Sequence, residues 1–329
     1  METPNNETAG FWRRTAAFAI DSLVLGLIGM ALAILFFDVL SMIGEWGRII
    51  GFLIGAAYFT LLEGDFGGRS QSLGKQVMRI KVMRCQAGEL TRLSARQACL
   101  RYVIIAVPLV LHGIGFVDTP ALQMPSMQWL TVTNGILISL WGAALFYLLA
   151  FNRPSRRSLH DLATSSVVVR ETATYAVAPP PAKKHYVIMV ALGALMMVTG
   201  AIANRWVASR LTNLYEVQRA VSSVPGVGQA GISTTSVRQL GSSRQSVRRI
   251  VAISVVVRNP ALSPDRCFDA VGTAAFSASP DLAKHDLVTI VCARSVDLGI
   301  ASWRWQAVDA RTPSQWLAKL KINPAAPHS

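Results

Sequence analysis

Five apolar blocks, at about 15–37, 47–62, 101–117, 129–151 and 187–203, dominate this chain of 329 residues. Each is long enough, or nearly so, to cross roughly 30 Å of hydrocarbon at about 1.5 Å per residue; the second, third and fifth are near the short limit. Backbone in lipid has no water to bond, so such blocks must close their hydrogen bonds internally as helices. Only 15% of the residues are charged and the mean hydropathy is +0.39, where a soluble chain is about a quarter charged. The expected architecture is an all-α polytopic membrane bundle of four spans plus a fifth anchoring span, followed by a small extracytoplasmic α+β domain. The first block is too long for a cleaved leader, carries Asp21 and lacks a small-x-small cleavage site, so it is read as a retained helix.

The net charge of +14 could point to nucleic acid, but its distribution points to the membrane. Arg69, Lys75, Arg79, Lys81, Arg84, Arg92, Arg96 and Arg101 lie between the second and third blocks. Arg153, Arg156, Arg157, Arg170, Lys183 and Lys184 lie between the fourth and fifth, whereas the loops 38–46 and 118–128 carry Asp38, Glu45 and Asp118. Lys and Arg are retained on the cytoplasmic side. With Arg13 and Arg14 ahead of the first span, the N-terminus is expected inside and the C-terminal domain outside a bacterial cytoplasmic membrane. That domain is itself basic, but long domains cross largely regardless of charge.

Four segments follow: a membrane domain at 8–170, a Pro-rich cytoplasmic linker at 171–185, a fifth helix at 186–203 flanked by Arg205, Trp206 and Arg210, and the C-terminal domain at 204–329. Gly47, Gly51 and Gly55, four apart, give the second span a face without side chains where another helix can approach. Alternation from Met78 to Val82 predicts a short strand or amphipathic segment. In the C-terminal domain the periodicities predict helices at about 207–223, 265–277 and 313–321. Strands are predicted at 232–240, 247–257, 286–294 and 300–309, the first two joined by a Gly241-Ser242-Ser243 turn. Cys85 and Cys99 fall inside as free thiols. Cys267 and Cys292 fall outside, either bridged in an oxidising compartment or buried unpaired.

Several motifs dissolve on inspection. Gly226-Val227-Gly228-Gln229-Ala230-Gly231 matches a dinucleotide fingerprint in letters, but the expected order is helix before and strand after, the reverse of what a phosphate site needs, so a flexible turn is expected. Ser158, His160 and Asp161 are too close in sequence to converge as a triad. The cysteines have no metal-ligand spacing. Trp303 and Trp305 face one way on a strand, as core or interface. No enzyme, cofactor or metal site is expected.

A carboxylate at mid-bilayer costs about 2.5–3.5 kcal/mol on insertion scales, which makes Asp21 the first functional candidate. Arg14 lies two helical turns away on the same face, roughly 10 Å off, so a third group is needed to bridge them. Asp161 follows the fourth span on the same side, with Lys75, Arg101 and Arg157 as supporting cations. The stretches Arg14-x-x-Ala17-x-x-Ile20-Asp21, Gln71-Ser72-Leu73-Gly74-Lys75, Arg79-Ile80-Lys81-Val82, Leu93-Ser94, Leu100-Arg101 and Arg156-Arg157-Ser158-Leu159-His160-Asp161-Leu162-Ala163 with Val167-Val168-Val169 resemble the RDD family of bacterial membrane proteins. The resemblance covers about 8–170, with Ser72 where the family usually has threonine, and maps the family's arginine and two aspartates to Arg14, Asp21 and Asp161. It implies a polar site that handles an ion or small solute. The residues alone leave a second reading, in which these groups only fix helix packing. A third makes the bundle an anchor for a C-terminal domain that binds an envelope protein. Lipid is the expected partner in every case, and nucleic acid in none.

Overall fold

A computed structural model of the chain describes residues 7–111, 128–153, 155–176, 178–210, 212–238 and 247–322. Two compact units result, the first made of Met1–Ala33, Glu45–Asn204 and Asp297–Ser302, the second of Ile34–Gly44, Arg205–Val296 and Trp303–Ser329.

The first helix of the first unit, α1 (Phe11–Leu35), turns the soluble-protein rule inside out. Its buried residues are Arg14, Ala17, Asp21, Leu25, Gly29 and Ala33, whereas Trp12, Phe18, Leu23 and Leu27 are exposed. The spacing of three then four keeps the buried set on one helical face. Charged and small residues therefore face the bundle and large apolar ones face outward, as lipid demands. The helices α2 (Phe37–Ile43) and α3 (Gly47–Glu63), joined by a short 3₁₀ turn, make the second apolar segment. Then come α4 (Leu73–Val77), α5 (Ala95–Leu111), α6 (Gln128–Phe151), α7 (Leu159–Ala163) and the long α8 (Lys183–Arg210).

Among the described residues, four segments are long and apolar enough to cross a membrane: Phe11–Leu35, Phe37–Glu63, Thr133–Phe151 and Lys183–Ile202. The third expected span begins in α5, whose 17 described residues fall short of that length, and the expected outer loop 118–128 lies almost wholly outside the described residues. The side chains of Arg205, Trp206 and Arg210 also lie outside the described set. The helix α8 runs beside α6, where Tyr147 Oη and His185 Nδ1 are 3.0 Å apart and Gly193 packs against Leu140.

The bundle is not purely helical. The strands β1 (Ile80–Gln86), β2 (Glu89–Thr91) and β3 (Ser166–Arg170) form a three-stranded sheet of order β2-β1-β3, both pairings antiparallel. Its two faces are dry: Ile80, Val82 and Val168 pack with Ala9, Ala17 and Leu93, and Val167 and Val169 pack with Ala173 and Ala176. The stretch expected as an extended linker, 171–185, is accordingly seated rather than free. Ala176 is buried, its carbonyl accepts the Cys85 thiol at 3.3 Å, and Glu89 bridges to Tyr175.

The glycine face of α3, expected to meet another helix, is buried only in part against one. Gly55 makes room for the Tyr102 ring of α5, while Gly47 and Gly51 are met by the backbone of residues 297–298, a turn grouped with the first unit.

The second unit carries a four-stranded sheet, β4 (Val227–Arg238), β5 (Val247–Val257), β6 (Leu287–Asp297) and β7 (Ser302–Arg311), in that order. Strands β4 and β5 are antiparallel, and β5 and β6 are parallel through the crossover helix α10 (Pro264–Ala278). With α9 (Thr212–Ser222) and α11 (Pro313–Leu320), this is the helix-strand-strand-helix-strand-strand-helix order expected, with helix and strand ends moved by a few residues. One correction concerns the glycine-rich run. Gly228 to Gly231 lie inside β4, at a bulge between Val227 and Gln229, and only Gly226, at φ +87°, occupies the turn. The Gly241-Ser242-Ser243 turn lies outside the described residues. Val251, Ile253, Val255, Val288 and Ile290 of the sheet meet Val271 and Ala275 of α10, Val217 and Val221 of α9, and a fully buried Trp316 whose indole donates to the Val288 carbonyl at 2.9 Å. Cys267 and Cys292 are joined by a disulfide that ties α10 to β6, and Cys85 and Cys99 are free. Trp303 and Trp305 are each about half exposed on β7, the edge strand.

Candidate functional site

Three acids and three bases meet where α1, α3, α5 and α7 end together. Asp161, on α7 and fully buried, pairs with Arg14 at 2.6 Å and also with Arg101 of α5. Its remaining lone pairs accept the Ser158 amide at 3.1 Å. Ion pairs taken out of water are tolerated when such extra bonds are made.

Asp21 takes a different set of partners. Its carboxylate accepts the Tyr58 hydroxyl at 2.7 Å, the Ser72 hydroxyl at 2.6 Å and the Gly74 amide at 2.7 Å, with Lys75 Nζ 4.0 Å away. The approach depends on Gly74, since a Cβ there would run into the Ala17 carbonyl and stand 3.0 Å from the Asp21 carboxyl carbon. Arg14 and Asp21 share the buried face of α1 without touching; the bridge between their halves of the cluster is Glu63.

Glu63 ends α3, is 2% exposed, pairs with Lys75 and lies 3.6 Å from Arg101. Sequence reasoning passed it over. Its signal was an acid closing an otherwise apolar span, the same argument that singled out Asp21. Arg157, expected beside the carboxylates, instead ties backbone together: it donates to the carbonyls of Ser166, Ala178 and Asp161 at 3.0, 3.1 and 3.3 Å. The cluster is thus Asp21, Glu63 and Asp161 against Arg14, Lys75 and Arg101, neutral in sum.

On the loop side, burial alone would push the Asp161 carboxyl up, but the guanidiniums of Arg101 and Arg14 outweigh it and hold it well below the usual carboxylate range. His160 is pushed down to about 3, by burial first and then by Arg101, Arg14 and Lys75, with Asp161 opposing. The ring is neutral at physiological pH. Its Nε2 lies 3.5 Å from Asp161, and its Nδ1 has no hydrogen-bond partner among the described residues.

A cavity of about 500 Å³ opens beside the cluster. Its polar end is Arg14, Glu63, Lys75, Arg101 and His160, and its walls include Phe18, Leu25, Ile105, Leu145 and Phe146. Of the three acids Glu63 alone lines it; Asp21 and Asp161 lie behind, 1% and 0% exposed. Among the described residues no three His, Cys, Asp or Glu side chains are placed to hold a metal ion.

Apolar helices of spanning length around a buried, neutralised charge cluster define a membrane protein of several spans. Residues 8–165 match the model of the RDD family, and the remainder lies beyond the match. No curated protein and no solved structure matches the chain.

Proposed function

We propose that the membrane domain handles an ion or small solute, which enters the cavity and meets Arg14, Glu63, Lys75, Arg101 and His160 at its polar end. The observation that supports this reading is the contact of a roomy cavity with Arg14, Glu63, Lys75, Arg101 and His160 at the end of a largely apolar bundle. Asp21 and Asp161 serve as buried counter-charges in this reading: Asp21 positions Lys75 through Ser72 and Gly74, and Asp161 positions Arg14 and Arg101. Glu63 is the acid an entering cation would meet. The domain acts without covalent chemistry, in the cytoplasmic membrane of a bacterium, with its N-terminus inside and its C-terminal domain outside, as the distribution of Lys and Arg indicates.

The test is uptake of labelled sodium, potassium or small organic solutes, each in turn, by proteoliposomes of the full chain. Wild-type protein takes up at least one of them, and Glu63→Gln abolishes that uptake. If wild-type protein moves none, or if Glu63→Gln and Asp21→Asn at normal insertion change neither flux nor growth, the cluster serves packing alone.

A further inference from the structure

A second, separate pocket is charged without balance. It measures about 370 Å³ and is lined by Gly10, Phe11, Trp12 and Arg13 at the start of α1, Ala150 at the end of α6, and Arg153, Arg156 and Arg170. Four guanidiniums share it with no carboxylate among its lining residues, in contrast to the balanced cluster behind it. Among the described residues, none of the four makes an ion pair. Like charges held together without a counter-charge repel, and the Arg156 guanidinium is pulled down from its ordinary value by burial, then by Arg153 and Arg14.

The convergence is built. Arg156 sits at φ +50°, a region disfavoured for any residue with a Cβ. It is fixed there by its amide, which donates to Asn152 at 2.6 Å, and by its carbonyl, which accepts Arg14 at 2.6 Å. Its side chain donates to the Ala150 carbonyl at 3.0 Å and lies 6.0 Å from the Phe11 ring, which leaves most of its five donors unused. Arg170 ends β3, held by its amide on the Glu7 carbonyl at 3.0 Å. Residues 11–13, in the first turn of a 25-residue helix, have amides without intrahelical acceptors, and the positive end of that helix faces the same space.

The pocket lies where two spans end. Trp12, 79% exposed, and Phe151, 59% exposed, stand at the ends of α1 and α6, with Phe18 and Phe146 exposed further along the same helices. Exposed aromatics at the end of a span mark the headgroup level of a bilayer, where apolar tail and charged head are both at hand. Arg in a planar fork matches the oxygens of a phosphate two at a time.

We propose that this pocket binds the phosphodiester headgroup of an anionic glycerophospholipid, with the acyl chains lying along the outer faces of α1 and α6. The phosphate sits among Arg13, Arg153, Arg156 and Arg170 above the first turn of α1. The lipid is the occupant, rather than free phosphate, because the pocket rim is aromatic and continues onto the lipid-facing surface. The residues that line this pocket are distinct from those that line the cavity.

Full-length protein in a neutral detergent is titrated with phosphatidylglycerol, phosphatidylcholine or inorganic phosphate, and bound lipid is counted by native mass spectrometry. Phosphatidylglycerol binds at one saturable site, phosphatidylcholine does not, and phosphate alone does not compete at equal concentration. Arg13→Gln with Arg153→Gln, both exposed side chains, weakens phosphatidylglycerol about thirtyfold, the effect of removing two interfacial cations. Gly10→Leu keeps every arginine and adds bulk where a Cβ meets nothing within 4 Å, so it lowers the affinity without unfolding the protein, as its unchanged thermal midpoint verifies. Equal binding of phosphatidylcholine, competition by phosphate as strong as by the lipid, or unchanged affinity in either variant overturns the proposal.

Discussion

At the scale of single residues, the buried cluster is a matter of partners. Asp161 has two guanidiniums, and removing one member of such a buried set costs about 3–5 kcal/mol because a charge is left uncompensated. His160, beside it, gives the cluster a pH response. The ring charges near 6.5 when the chain is unfolded and near 3 when it is folded. Between those values the unfolded state holds one proton more, so stability falls as the pH drops from about 6.5 toward 3, by at most about 1.4 kcal/mol per pH unit, and is unaffected above 6.5. Thermal midpoints of detergent-solubilised protein across pH 4–8 measure this. His160→Gln should flatten that part of the profile, and a variant with the wild-type slope would assign it elsewhere.

At the scale of elements, the cluster works because short pieces of chain are pinned against spans. The helix α4 presses onto α1 through Gly74, whose amide reaches Asp21 and whose missing side chain lets the Ala17 carbonyl approach. Gly74→Ala must push α4 away from α1 and lengthen the Asp21 bonds, a loss of about 1–3 kcal/mol of the kind overpacked cores show. Chemical denaturation of the solubilised protein reads it, and retention of wild-type stability would mean that α4 shifts freely. Much at this scale was legible from pattern: the charged face of α1, the alternation that became β1, and nearly every element of the C-terminal domain. The partner exchange was not. Arg14 and Asp21 lie two turns apart on one face, yet each is satisfied by a residue distant in sequence, and periodicity along one helix carries no information about which loop folds back on it. Glu63 was missed because it sits at the edge of its span, where an acid reads as a helix end. The seating of 171–185 on the sheet was hidden for a similar reason, since a proline-rich composition describes the free chain and not the apolar patch of Val167 and Val169 that Ala173 and Ala176 cover.

At the scale of the whole molecule, the cysteines offer a test of the sidedness proposed from the loop charges. Cys267 and Cys292 are bridged, and Cys85 of β1 and Cys99 of α5 are free and half-buried. Cys267 and Cys292 are bridged and buried, so in intact cells a membrane-impermeant maleimide should leave the folded protein unlabelled. Cys85 and Cys99 should react only once the membrane is permeabilised. Labelling of Cys85 from outside would invert the topology.

The sheet joining β1 to β3 also sets an order of events. Ile80 pairs with Arg170, so β1 leaves the ribosome well before its partner exists, and a ribbon edge stays open while α5 and α6 are being made. Asp161 is likewise the last member of the ion cluster to be synthesised, long after Arg14 and Arg101 have entered the nascent bundle. Arg14 therefore waits without its carboxylate, while Arg101 has only Glu63, until the segment after α6 has been delivered. A chain that stops between α5 and α7 would thus keep an open strand edge on β1 and one guanidinium, that of Arg14, without its carboxylate.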